Sequence, residues 1–266
     1  GLGAVVGAVV GALVAAAMTW FWLQRPAPVP VPGAAAPAEA PAPAALVEAV
    51  PAKPAAPPVI ERTEAELPLG WPDADALISS EAQAWRVLAP LWRVELADGD
   101  PCAQAIAQGL QCYRTERMTL NGLRQLNRPG VLQVRLPDGN AGRAILTALG
   151  PDSAVLGHGA QRWRVALSEL EARWQGDYAT LWRLPPGQTT RLVDGRSGSA
   201  ATWLDEHLIA LQAQGRLPAT ANTTAARLAS FQQSQGIESG GPAGPITFMQ
   251  ANLSSGVDEP RLLPGS

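Results

Sequence analysis

What the chain has little of narrows its roles before any motif is read. Its 20 Lys and Arg are outweighed by 23 Asp and Glu, giving a formal charge of −3 and a pI near 5.5. No excess of positive charge marks a nucleic-acid surface, and no nucleic-acid partner is expected. No Gly-x-x-x-x-Gly-Lys-Ser/Thr loop occurs, so these residues offer a nucleotide no phosphate cradle. Neither a metal site nor a cofactor is read from the sequence. An initial Met is also missing, and the first residue already lies in apolar sequence, which reads as a fragment of a longer protein.

Charge is absent altogether from Gly1 to Leu23, where Thr19 is the only clearly polar side chain. That run matches the roughly 20 residues a helix needs to cross the hydrocarbon core, and predicts a transmembrane helix over 1–23. Trp20, Phe21 and Trp22 stand where an interfacial aromatic belt would, with Arg25 behind them. A cleaved signal peptide is the rival, but the length and the aromatic cluster favour a retained span. After Arg25 the next basic residue is Lys53, so the downstream side is expected to be non-cytoplasmic. Gly3, Gly7 and Gly11 recur every fourth residue and share one helix face, the spacing that lets two helix backbones approach closely. A partner span, and an oligomer, are expected.

Prolines from Pro26 to Pro58 deny backbone donors and fix φ, so 24–70 reads as a Pro/Ala-rich linker without packed elements. At ~3.1 Å per residue such a tether reaches on the order of 100 Å at most.

Folded sequence is expected over 71–186. In "ADALISSEAQAWRVLAPLW" (74–92), Leu77, Ile78, Ala82, Trp85, Leu88 and Leu91 recur at helical spacing and predict one helix. In "DGDPCAQAIAQGLQCYR", Asp100 is a cap, Pro101 suits the first helical position and Gly109 a left-handed exit. A helix over 101–108 and a strand over 110–114 follow. This reversal would bring the only two cysteines, Cys102 and Cys112, together as a disulfide. The alternative is a nucleophilic Cys102 whose thiol is activated at a helix start. A short helix over "LNGLRQLN" leads into "GVLQVRLPDG", "GRAILTALG", "DSAVLG", "RWRVAL" and "DYATLWRLP", each a strand-like run bounded by Gly, Pro or Asp. "SELEARWQG" reads as a short helix with Ser168 as its cap and Glu171 in the capping-box position. Helices followed by antiparallel strands make an α+β domain.

"LNRPGVLQVRL" (126–136) and "RWQGDYATLWRLP" (173–185) resemble the periplasmic part of general secretion pathway protein A. The resemblance implies a degenerate papain-like domain, related to the peptidases that process bacteriocin leaders and regarded as non-catalytic. It places Cys102 at the nucleophile's helix start and puts Arg143 and Ala144 where the catalytic His is expected. His158 falls nearer the position of the acid. It also implies an inner-membrane, single-pass protein whose bulk is periplasmic, with an ATPase domain upstream. The role implied is help in assembling or placing the type II secretion secretin. General secretion pathway protein B is the implied partner, which the glycine-faced span could pair with.

Residues 187–266 predict three short helices. Trp203, Leu204, Leu208 and Leu211 share a face of the first, Ala225, Leu228 and Phe231 of the second, and Ile246, Met249 and Leu253 of the third, behind Pro245. Some sixty residues are few for a free-standing core, so docking onto the preceding domain is expected. Phe231-Gln232, Gly236, Gly241, Gly244 and Thr247 match the motif of the peptidoglycan-binding module, and Gly240 stands where that family has Asp. The resemblance implies peptidoglycan binding at the turn, where backbone N–H groups suit carboxylates and amides. The glycines also serve a purely structural turn, with Phe231 in the core. Two functions stand: a wall-binding scaffold, or a wall-directed cysteine peptidase or amidase using Cys102 and His158.

Overall fold

The computed structural model describes residue 67 and residues 69–136 and 139–264. The expected span, its glycine face (Gly3, Gly7, Gly11) and nearly all of the linker lie outside the described residues. Among the described residues, no helix is long and apolar enough to cross a membrane.

Six strands form one antiparallel sheet: β1 (Leu110–Thr115), β2 (Gly130–Arg135), β3 (Ala141–Leu149), β4 (Ser153–His158), β5 (Gln161–Ala166) and β6 (Trp174–Arg183), in the order β1-β6-β2-β3-β4-β5. The helices before and between them are α1 (Glu81–Leu88), α2 (Pro101–Ala107), α3 (Leu120–Leu126) and α4 (Leu167–Arg173). The last three are α5 (Gly198–Ala213), α6 (Thr224–Ser234) and α7 (Pro245–Ser254). The described part is therefore α+β.

Local chemistry sets most boundaries. Asp100 accepts hydrogen bonds from the backbone N–H of Cys102 and Ala103, Pro101 opens α2, and Gly109 turns the chain at φ 73°. Thr119 and Thr223 cap α3 and α6 through their hydroxyls. Gly130 sits so close to the Tyr178 ring and the Ala179 carbonyl that a Cβ would collide with both. That approach lets the Tyr178 hydroxyl donate to the Arg128 carbonyl at 2.9 Å.

Two expectations need correction. The stretch 74–92 is not one helix. Ser80 caps α1, accepting from the Gln83 N–H at 3.1 Å, while Ile78 is extended and pairs with Arg143. Leu77 and Ile78 are buried as strand-like residues, and Leu91 lies in a 3₁₀ turn, Ala89–Trp92, whose buried aromatic is Trp92. Ser168 does not cap α4, because the helix starts one residue earlier at Leu167, behind Ala166, with no side-chain cap.

The three C-terminal helices share the sheet's core: Leu204, Leu208, Phe231, Phe248 and Met249 belong to the same buried cluster as Trp85, Leu132, Leu146 and Trp182. Trp182 on β6 stacks against Phe248 on α7, with ring centroids 6.1 Å apart.

Candidate functional site

Where β4 runs out, the segment before α1 takes its place beside β3. Ile78 exchanges backbone hydrogen bonds with Arg143 (2.8 and 3.0 Å). The Arg143 guanidinium donates to the Ser79 carbonyl at 2.8 Å and to Gln133 Oε1 at 2.9 Å. His158, the last residue of β4, lies with Nδ1 3.0 Å from the Ala76 carbonyl. A carbonyl only accepts, so this contact requires the tautomer protonated on Nδ1. A helix start, a strand-head cation and an imidazole thus meet at one corner of the sheet.

A nucleophile at a helix start needs a base within hydrogen-bond reach. The helix start beside Arg143 is that of α1, at Ser79 and Ser80, and not that of α2. A guanidinium cannot accept a proton, and the Ser80 hydroxyl is engaged as a cap.

Cys102 stands elsewhere, at the start of α2. It is joined to Cys112 on the edge strand β1, with Cα atoms 5.5 Å apart, and both of the chain's cysteines are consumed. From β1 to β4 is four strand spacings, about 19 Å. Cys102 and His158 are not brought together. The sequence signal that was missed is the Ser79-Ser80 pair ahead of a helical run.

Between α1 and the sheet lies a cleft of about 830 Å³, lined by Glu81, Trp85, Arg114, Glu116, Arg117, Gln133, Arg143, Asp177 and Tyr178 among others. A recess of about 200 Å³ adjoins it through Gln133 and Asp177 and adds Arg135, Arg173 and Gln175. Arg114 lies over the Trp85 ring at 5.3 Å, is ion-paired with Glu81, and has Nη2 3.9 Å from Cys102 Sγ. Burial pushes the Tyr178 hydroxyl far above its ordinary range, so it stays a neutral donor.

The turn between α6 and α7 forms a second region. Phe231, Gln232 and Thr247 are buried. They shape the turn and present no surface to a ligand. Gln232 Nε2 is 3.4 Å from both the Gly241 carbonyl and Thr247 Oγ1, and its Oε1 has no partner. Gly236 and Gly241 are exposed and Gly244 is half-buried. Gly236 and Gly240 take φ of 62° and 90°, which glycine alone adopts freely. Behind the turn, burial lowers the pKa of His207, with Arg216 adding to the effect, and its Nε2 is 2.9 Å from Ser254 Oγ.

Residues 77–184 match the family described as GspA, peptidase C39-like domain. This segment is similar to that domain. It opens at Leu77, shortly before α1, and closes just after β6. The chain is 32% identical over 163 residues to general secretion pathway protein A of Aeromonas hydrophila, covering 60% of this chain and 30% of that protein. It is 26% identical over 137 residues to a putative general secretion pathway protein A of Escherichia coli (strain K12), covering 51% and 28%. The chain thus spans less than a third of the length of these relatives. A crystal structure of a periplasmic domain of the EpsAB fusion protein, from the Vibrio vulnificus type II secretion system, is 27% identical. It superposes with a TM-score of 0.45, covering 66% of this chain and 80% of that one.

Proposed function

We propose that this chain is a membrane-tethered, catalytically silent periplasmic module that grips peptidoglycan and assists assembly or placement of the type II secretion secretin. The observation that carries the reading is a GspA peptidase C39-like domain with Arg143 at its strand head. A peptidase of papain-like layout needs a proton acceptor at that point, and a guanidinium held by Ser79 and Gln133 cannot serve. The Cys102–Cys112 disulfide removes the other candidate nucleophile. Kinship with general secretion pathway protein A supports the secretion role, and an uncharged run followed by a proline leash supports a single-pass anchor. General secretion pathway protein B pairs through the Gly3, Gly7 and Gly11 face in this reading, and the assembly is oligomeric.

Wall binding falls to the exposed backbone of the Gly236–Gly244 turn, which Phe231, Gln232 and Thr247 hold in shape from below. Gly241 offers the test. A Cβ there meets nothing within 4 Å and its backbone is not left-handed, so Gly241→Trp fits the fold while covering the turn. Co-sedimentation of the full chain with purified sacculi is expected to drop several-fold in this variant. Unchanged retention would overturn the assignment of the turn.

A further inference from the structure

Along the cleft and its adjoining recess, three charged side chains stand without partners among the described residues. Among the described residues the Asp177 carboxylate and the Arg117 and Arg135 guanidinium groups form no ion pair or side-chain hydrogen bond, in contrast to Arg114 and Arg143 beside them. Asp177 lies on β6 and lines both the cleft and its adjoining recess. Arg117 follows the end of β1 on one flank, and Arg135 ends β2 on the other. The order is cation, anion, cation over two strand spacings, on the order of 10 Å. Glu116 also lines the Arg117 end, and Gln133 and Gln175 supply neutral donors and acceptors between the charges.

The volume suits a small ligand rather than a docked protein. A carboxylate meeting each guanidinium and an ammonium meeting Asp177 would form three charge-assisted contacts. A span of about 10 Å is that of three extended residues. We infer that this cleft binds a short amphoteric peptide whose ammonium group lies between carboxylates, the charge order of a peptidoglycan stem. The choice of ligand rests on the wall-binding reading above. It places a second contact with the wall on the peptidase-like domain, away from the α6–α7 turn, and gives the silent cleft an occupant that is held and not cut.

The probe is the soluble N-acetylated tetrapeptide N-acetyl-L-Ala-γ-D-Glu-meso-diaminopimelate-D-Ala, whose one free amine is that of diaminopimelate, titrated calorimetrically into the full chain in detergent. Acetylating its free amine is expected to weaken binding about ten-fold, as is Asp177→Asn with the unmodified peptide. Together the two changes should cost no more than either alone, because both delete the same contact. Asp177 holds Trp174 only through its backbone carbonyl, so the substitution spares the fold. The Gly241→Trp variant should keep the part of tetrapeptide binding that depends on Asp177 and the amine, whatever the turn itself contributes. A chain that sacculi retain, but whose tetrapeptide affinity ignores both Asp177 and the amine, overturns the cleft assignment alone. Tetrapeptide binding through Asp177 by a chain that sacculi do not retain upholds the cleft and overturns wall anchoring. Absence of any tetrapeptide binding overturns the cleft assignment whatever sacculi do.

Discussion

Arg128 is fully buried and has five N–H donors to place. Nη1 donates to the Leu126 carbonyl at 2.8 Å, and Nη2 reaches the Met249 carbonyl at 2.6 Å and the Glu259 carboxylate. Glu259 is equally buried and also accepts from the Arg183 N–H and from Asn252 Nδ2, at 2.8 and 2.9 Å. One ion pair therefore ties the α3–β2 junction, β6, α7 and the C-terminal segment together. Deleting one partner strands a charge in the core. Arg128→Ala or Glu259→Ala is expected to cost about 3–5 kcal/mol in urea unfolding, whereas Arg128→Met combined with Glu259→Leu should recover most of the loss. A double variant as unstable as the singles would contradict this. Little of the pair is legible in the sequence, since its members lie 131 residues apart and only the tertiary fold joins them.

Among the elements, the α2–β1 reversal was the most legible. A cap, a first-turn proline and an exit glycine fall within ten residues, and the disulfide then closes a loop of sequence separation 10. Cross-linking a loop that short stabilises by about 3 kcal/mol on chain-entropy grounds, and Cys102→Ala with Cys112→Ala should lower the urea midpoint accordingly. An unchanged midpoint would show that the reversal holds itself. The stretch 74–92 misled because Leu77 and Ile78 are apolar for a different reason from Trp85 and Leu88. The first pair packs as an extended strand against β3, the second as a helix face, and the two patterns merge into one apparent period. The same merger hid the corner formed by Ser79, Arg143 and His158. Its parts lie 64 and 82 residues from their partners, and two cysteines are a louder signal than two serines. At the α6–α7 turn, the glycine pattern gave away the turn itself. Phe231 was expected in the core, but the pattern could not tell that Gln232 and Thr247 face inward with it.

At the scale of the molecule, one core runs from the sheet through the last three helices. Gln250 donates to the Gln125 carbonyl, Asn252 to the Arg183 carbonyl, and Gln111 exchanges two hydrogen bonds with Leu192. A fragment limited to 77–184 would expose Trp182 and leave Arg128 without Glu259. It is expected to be unfolded or molten by near-UV circular dichroism, while 67–264 melts in a single transition. A well-folded 77–184 fragment would refute that.

The segments at either extreme of the described part converge on one residue: Leu67 is buried with Ala148 and Val155, and Leu263 pairs with β3 at Ala148. A circular permutant, with a few residues stitching 264 to 67 and new ends cut in an exposed loop such as the one around Gly159, should therefore fold with little penalty. In the native arrangement, a segment appended behind Leu263 would emerge beside Leu67.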